Sequence, residues 1–381
     1  MPNPLTVIAM SALLFGTSTS TALQIGAWVG GPATETYPQP TEANVTAFET
    51  MQGRKLDLIS EFVLWDSNDW AWTQTYADIA AAHNATLVVT WMANGYSAQN
   101  IVDGAGDDYI RQYASDVKAY GKEVWLRPLH EANGNWYTWG VGTSGAGNTN
   151  ANVIAAWQHI VQIFRDSNVT NVKWVWTTNA TNSGTGTSIM GAYPGDAWVD
   201  YNSIDGYNWG TAQTWSSWQT FTAIMKPAYT LLAAHDKPIF IAEFSSSEQG
   251  GNKAQWITDM FAALPVTFPK IFALMWFSQT KSAEADWAVN TSDASLAAWK
   301  AGIAAASTIV RNTPSPASTF WSVSNAELIL HLDRASNVEI TLVDLAGRIR
   351  YSAKYSTLGA GEHHLPLPNK HPAWRLQVSV Q

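Results

Sequence analysis

Two glutamates stand where a carboxylate could do chemistry. Glu131 lies in "EVWLRPLHEANGNWYTWG", residues 123–140, where a β-branched and aromatic run gives way to Arg-Pro, His-Glu, small residues and three aromatics. Glu243 lies at the tip of a second apolar run, "KPIFIAEFSSSEQGG". A lone Glu at a strand end is more often a surface charge or a helix-cap partner. Two of them, each closing a separately predicted strand, argue for chemistry. Paired carboxylates among aromatic rings suit cleavage of a glycosidic bond, one as acid on the leaving oxygen, the other as nucleophile or base. Burial against Trp and Tyr would raise one pKa, and neighbouring Arg127 would keep the other ionised.

The surrounding residues fit the same use. Trp136, Trp139, Trp209 and Trp276 follow predicted strand ends and read as platforms for the CH faces of sugars. His130 and Asn133, beside Glu131, read as hydroxyl contacts. Trp125, Trp174 and Trp176 fall inside predicted strands and read as packing. The other carboxylates offer less: Asp196 in "YPGD" suits a turn, Asp205 an internal acceptor, and Asp286 in "EADW" either a substrate contact or a helix cap.

The elements that must position these residues alternate from Leu23 to about Val310. Continuous apolar runs mark strands covered on both faces: "LQIGAWVG", "LDLISEFVLW", "ATLVVTWM", "EVWLRPLHE", "NVKWVWTTN", "VDYNSIDGYN", "KPIFIAEFS" and "IFALMWFSQ". Helix signals lie between them. "TEANVTAFETM" opens on Thr41; "GDDYIRQYASDVKAYGK" has Asp107 and Asp108 in its first turn and Gly121 past its end; "NANVIAAWQHIVQIFRDSN" carries an apolar stripe through Ile154, Trp157, Ile160, Val161 and Phe164. Eight strand–helix alternations predict a (β/α)8 TIM barrel, the α/β class in which strand C-terminal ends share one catalytic face. A doubly wound sheet is the alternative, but no GxGxxG turn follows the first strand. The fourth and seventh strands, which carry the two glutamates, face each other across a barrel mouth.

The texture then changes. "RNTPSPAST" reads as a linker over 311–318. Residues 319–381 alternate apolar and polar in "AELILHL", "VEITLVDL", "RIRYSAKY" and "WRLQVSVQ", which predicts a small appended β-sandwich after a catalytic domain over 23–310. At the other end, "LTVIAMSALLFG" is too short to span a membrane and is followed by small Ser20 and Ala22, so residues 1–22 read as a signal peptide and the chain as secreted or cell-surface.

Composition bounds the rest. The 381 residues carry a net charge of −9 with no dense basic run, which argues against nucleic acid or an anionic membrane as partner. No cysteine is present, so thiolate metal sites, disulfides and Cys nucleophiles are excluded. The 21 Trp exceed what packing ordinarily needs, and a flat ligand would account for the surplus. No metal or other cofactor is expected: His159, His235, His363 and His364 lack ligand spacing with acidic partners. "GTSGA" matches a nucleophile elbow only loosely. A carbohydrate-binding module without catalysis would explain the Trp but not two opposed glutamates.

At these residues a family resemblance is visible. "RPLHEANGNWYTWG" resembles the acid/base motif of glycoside hydrolase family 26 and "IAEFSS" its nucleophile strand; "YPGDAWVDYNSIDGYNWG" and "ADWAVNTSDASLAAW" are similar to its sixth-strand region and last helix entry. The match spans about residues 23–305. It implies a barrel and a retaining double displacement, with Glu131 as acid/base, Glu243 as nucleophile, His130 on the −1 sugar, Tyr207 bonded to the nucleophile and Arg127 orienting it. "FETMQGRK" and "NSIDGYNWGTAQTW" look more like the family's β-1,3-1,4-glucanases (lichenases) than its β-1,4-mannanases. The expected partner is therefore polysaccharide, glucan or mannan, met by a monomer.

Overall fold

The computed structural model describes residues 19–30, 40–306, 311–313, 320–324, 327–332, 336–343, 348–359, 361–367 and 375–380. Eight parallel strands close into a barrel: β1 (Gln24–Val29), β2 (Leu58–Leu64), β3 (Thr86–Met92), β4 (Val124–Pro128), β5 (Val172–Asn179), β6 (Tyr201–Asn208), β7 (Ile239–Ser246) and β8 (Ile271–Ser278). Around it lie α1 (Glu42–Gln52), α2 (Trp70–Ala82), the short α3 (Ala98–Val102), α4 (Asp107–Tyr120), α5 (Asn150–Asp166), α6 (Phe221–Leu232), α7 (Lys253–Thr267) and α8 (Asp293–Ala306). All eight expected strands are present, and the fold is the (β/α)8 barrel. One expected helix is not: β5 and β6 are joined by a long loop with a single 3₁₀ turn, Asp196–Trp198. The Gly, Ser, Thr and Pro residues of 180–195 offer no apolar stripe for a helix to bury.

Local signals set the boundaries of the other helices. Thr41 Oγ1 accepts from Asn44 N at 3.1 Å and starts α1. Gly121, at φ 74°, ends α4 in the left-handed conformation that a Cβ would disfavour. Each strand is covered on both sides. Alternate residues feed an outer layer against the helices, including Val124, Leu126, Ile204, Ile241, Phe244, Leu274 and Trp276. The others fill the barrel floor with Leu58, Val88, Trp125, Val175, Tyr201, Phe240 and Met275. Trp125 lies 4.4 Å from Tyr201 and 5.4 Å from Phe240, so the barrel is packed rather than open. Gly26 belongs to this interior: a Cβ there would meet Leu58 Cβ at 2.7 Å.

The strand alternation breaks once, in β7. Asn202, Ser203 and Ile204 of β6 pair with Ile239, Phe240 and Ile241, but Asp205 then pairs with Glu243. Phe240 and Ala242 both face the floor, so strict alternation would turn Glu243 outward. The extra residue is a bulge, which re-aims Glu243 towards the barrel mouth.

The chain divides into one compact unit, Ser20–Arg311, and a smaller one that takes in Asn312–Gln381. In the smaller unit, Phe320–Ser324, Glu327–Leu332 and Gly361–Pro366 form one antiparallel sheet. Ile349–Leu358, Ser336–Val343 and Arg375–Val380 form the other. Leu328, Leu330, Leu332, Val338, Ile340, Leu342, Leu365 and Leu367 make its core. Phe320–Ser324 and Gly361–Pro366 were not expected from the alternation. Arg311–Thr313, at the start of the expected linker, is a short strand; 314–318 lie outside the described residues. So do 1–18 of the expected signal peptide, while Thr19–Thr21 form a short strand. No helix among the described residues is long and apolar enough to cross a membrane.

Candidate active site

Glu131 sits three residues beyond the end of β4 rather than on it, in a turn where Leu129 and Glu131 both take left-handed backbone, at φ 49° and 54°. Such conformations persist in non-glycine residues only when their surroundings fix them. Here Glu131 N donates to Thr177 O of β5 at 3.1 Å. Asn133 completes the tie: its Oδ1 accepts from Asn179 N at 2.9 Å, and its Nδ2 reaches Asn179 O, Thr181 O and Asn182 Oδ1 at 3.0–3.2 Å. Asn133 is thus not available to read a sugar hydroxyl. Its amide is consumed in clamping the β4 turn to the end of β5.

The clamp places the Glu131 carboxyl between two donors. Asn179 Nδ2 donates to Oε1 and Trp136 Nε1 to Oε2, both at 2.7 Å. Glu131 is only 7% exposed. Burial first, and then the charge of Glu243, push its pKa up to about 7, against the two hydrogen bonds and Arg127. A carboxyl in that range holds a proton near neutrality and can release it.

Glu243 has different neighbours. Tyr207 donates to its Oε2 at 2.9 Å, and Arg127 Nη2 lies 2.9 Å from Oε1. The same Nη2 donates along its N–H axis to Asp205 Oδ2 at 2.6 Å, so one guanidinium serves two carboxylates. Arg127 is fully buried; burial disfavours its charge, but Asp205, Glu243 and Glu131 together raise its pKa. Burial, reinforced by Glu243, also keeps the Tyr207 hydroxyl protonated and donating. Asp205, expected as an internal acceptor, is that.

His130 is buried, with Nε2 3.0 Å from Tyr137 Oη and Nδ1 without a partner. Burial and then Arg127 hold its pKa well below the usual imidazole range, so the ring is neutral. Tyr137 stacks on Trp139 at 4.5 Å, nearly parallel.

The four Trp expected as platforms divide. Trp136 is 45% exposed and stands over Glu131. Trp209 is half-buried at the rim, edge-on to Trp287 at 4.9 Å. Trp139 is fully buried, donating to His130 O at 2.8 Å, and cannot stack on substrate. Trp276 lies inside β8 on its outer face, fully buried, donating to Trp287 O at 2.8 Å. Strand parity decides Trp276, and the fold of the loop after β4 decides Trp139. Trp125, Trp174 and Trp176 are packed, as expected. Asp286 caps no helix; it accepts from Thr280 Oγ1 and Ala288 N in a hairpin. Asp196 bonds Tyr193 and His235 at its turn.

Asn179, Tyr137, Trp287 and Trp28 were not singled out from the sequence. Trp287 lies 5.1 Å from Tyr207, and Trp28 joins Phe62 and Phe277 in an aromatic wall on the β1, β2 and β8 side. Only the strand-end position of Asn179 in "TTN" could have drawn notice. Among the described residues no group of three or more His, Asp or Glu side chains could hold a metal ion.

The arrangement can donate a proton from one carboxyl and attack with the other. Residues 97–258 match the model of glycosyl hydrolase family 26. Endoglucanase H of Acetivibrio thermocellus is 46% identical over 330 residues, covering 85% of this chain and 35% of that protein, so the chain spans little more than a third of that relative's length. The mannan endo-1,4-beta-mannosidase A and B of Caldalkalibacillus mannanilyticus is 27% identical over 173 residues, 44% of this chain and 31% of that protein. Among solved structures, the catalytic domain of a Bacillus sp. JAMB-750 GH26 endo-β-1,4-mannanase superposes with a TM-score of 0.56 at 17% identity, covering 75% of this chain and 86% of that one. A Cellulomonas fimi endo-β-1,4-mannanase double mutant gives 0.54 at 16%, covering 91% and 89%. These last two likenesses bear on the fold.

Proposed function

Given that the chain belongs to glycosyl hydrolase family 26, we propose that it is a retaining, endo-acting glycoside hydrolase whose substrate is mixed-linkage β-1,3-1,4-glucan. The observation that carries the reading is the asymmetry of the two glutamates. Glu131 is pushed up to about 7 by burial and by Glu243, while Glu243 is gripped by Arg127 and Tyr207. Glu131 protonates the leaving oxygen as Glu243 attacks the anomeric carbon. The resulting ester removes the Glu243 charge, which is the second largest cause of the raised Glu131 pKa. Glu131 then becomes more acidic and takes a proton from the water that hydrolyses the ester. Trp136, joined to the acid, flanks the aglycone.

The substrate assignment rests on the likeness to Endoglucanase H and on the motifs shared with glucanases. The mannanase reading is favoured instead by the names of two further relatives. A panel of barley β-glucan, lichenan, galactomannan and β-1,3-xylan with product sizing separates them. Short mixed-linked oligosaccharides released fastest from β-glucan are expected; equal or faster release from galactomannan would overturn the substrate and leave both glutamates in their roles. We also propose export of the chain, which N-terminal sequencing of secreted material tests: a mature end at Leu23 is expected, and an intact Met1 would refute it.

A further inference from the structure

The reading above uses the aromatic rings that touch the two glutamates. Beyond them, Trp215 is the most exposed Trp among the described residues. Trp215 is 69% exposed, on the loop after β6, where a solvent-facing indole is costly to keep without a use. Its ring lies 5.0 Å from Trp209. Trp209 lies 4.9 Å from Trp287 and 6.4 Å from Tyr207, and Tyr207 donates to Glu243. A continuous ladder of rings therefore runs from the nucleophile to the surface.

The loop that carries Trp215 is built rather than loose. Gln213 Nε2 donates to Glu284 O at 2.8 Å and to Ala283 O at 3.3 Å, tying the loop to the β8 hairpin. Trp287 Nε1 reaches Glu284 Oε2 in the same hairpin at 3.2 Å. Ser216 Oγ donates to Gly210 O at 2.8 Å and closes the turn on itself. A rigid backbone holds the exposed ring where it is, which lowers the entropy that a ligand must otherwise supply.

Resting on the hydrolase reading, we propose that Trp215 is the platform of a distal glycone subsite, stacking on a pyranose face of the β-linked chain beyond the sugar that Glu243 attacks. The ladder starts at the nucleophile, whereas Trp136 belongs to the acid, so Trp136 and Trp215 serve opposite sides of the scissile bond. Two ring contacts separate Trp215 from Tyr207, a reach that a short oligosaccharide spans and a monosaccharide does not.

Aryl β-glycosides with glycones of increasing length, assayed with wild type, Trp215→Ala and Trp215→Tyr, test this. Wild type gains in kcat/KM as the glycone lengthens past the catalytic sugar. Trp215→Ala lowers the long-to-short ratio by roughly tenfold, mostly in KM, and Trp215→Tyr restores most of it. An unchanged ratio in Trp215→Ala would refute the subsite, and equal loss at every length would show a structural role instead. A wild-type chain that hydrolyses no glycoside or glucan would sink the hydrolase reading and the subsite with it, an outcome distinct from an active wild type whose ratio ignores Trp215.

Discussion

Replacing Trp136 by Phe should move the pH dependence of the enzyme towards alkali. The indole N–H donates to Glu131 Oε2 at 2.7 Å and so favours the ionised carboxyl. Phe keeps a ring but removes the donor. A hydrogen bond to a charged group contributes ~1.5–3 kcal/mol. Trp136 is 45% exposed, so water takes over part of the role and the lower end applies. At ~1.4 kcal/mol per pKa unit, the acid should shift up by about one unit. Glu131 must be protonated in the free enzyme to deliver its proton, so kcat/KM holds below its pKa and falls above it. The alkaline limb should therefore move from about 7 to about 8, read from kcat/KM profiles on a soluble substrate. The height of the plateau can fall through lost stacking; the midpoint is the measurement. A midpoint that stays in place or moves towards acid would refute the assignment of Glu131 as acid and of Trp136 as donor to its carboxylate.

Further expectations follow from the same contacts. Asn179→Ala removes the donor to Oε1 but keeps the backbone N–H and C=O that Asn133 clamps, so it should shift the alkaline limb in the same direction; an acid shift would contradict it. Asn133→Ala takes the side-chain partner from Asn179 N and Thr181 O at the end of β5 and should cost ~1–3 kcal/mol in denaturant unfolding, together with kcat; full stability would show that the clamp is dispensable. Lys253 is buried, donates to Ala288 O at 2.6 Å, and is pushed down to about 8, chiefly by burial. Between about 8 and 10.5 the unfolded chain binds the extra proton, so folding stability should rise with pH, and the advantage of wild type over Lys253→Met should grow by about 1 kcal/mol per pH unit; a flat or falling difference would reverse that reading. Truncation after Thr313 should leave turnover of soluble substrate nearly intact, and a collapsed melting transition would show that the smaller unit is needed by the barrel.

The barrel strands were legible because a strand covered on both faces must be continuously apolar, and "IFALMWFS" or "TLVVTWM" can be little else. The two glutamates were legible because each is the carboxylate set in or just beyond such a run, Glu243 inside β7 and Glu131 past the end of β4. What the chain hides is the register. The bulge in β7 turns Glu243 inward against the local alternation, and nothing in "IAEFSS" announces it. Parity likewise buries Trp276 inside β8, while Trp136 and Trp215, in the loops after β4 and β6, are exposed. Asn133 looked like a sugar contact because it is polar and adjacent to Glu131; its partners, Asn179 and Thr181, are distant in sequence and only the fold brings them to it. The absent helix after β5 was visible in composition, but the eightfold pattern suggested one regardless.

The identity of the nucleophile carries the whole mechanism, and a 2-deoxy-2-fluoro glycosyl fluoride tests it directly. The fluorine slows both steps, the fluoride leaves readily, and a covalent glycosyl-enzyme accumulates. Intact mass spectrometry should then show a single glycosyl adduct, and peptide mapping should place it on Glu243, within the β7 segment Ile239–Ser246. An adduct on Glu131, or inactivation without any adduct, would contradict the account.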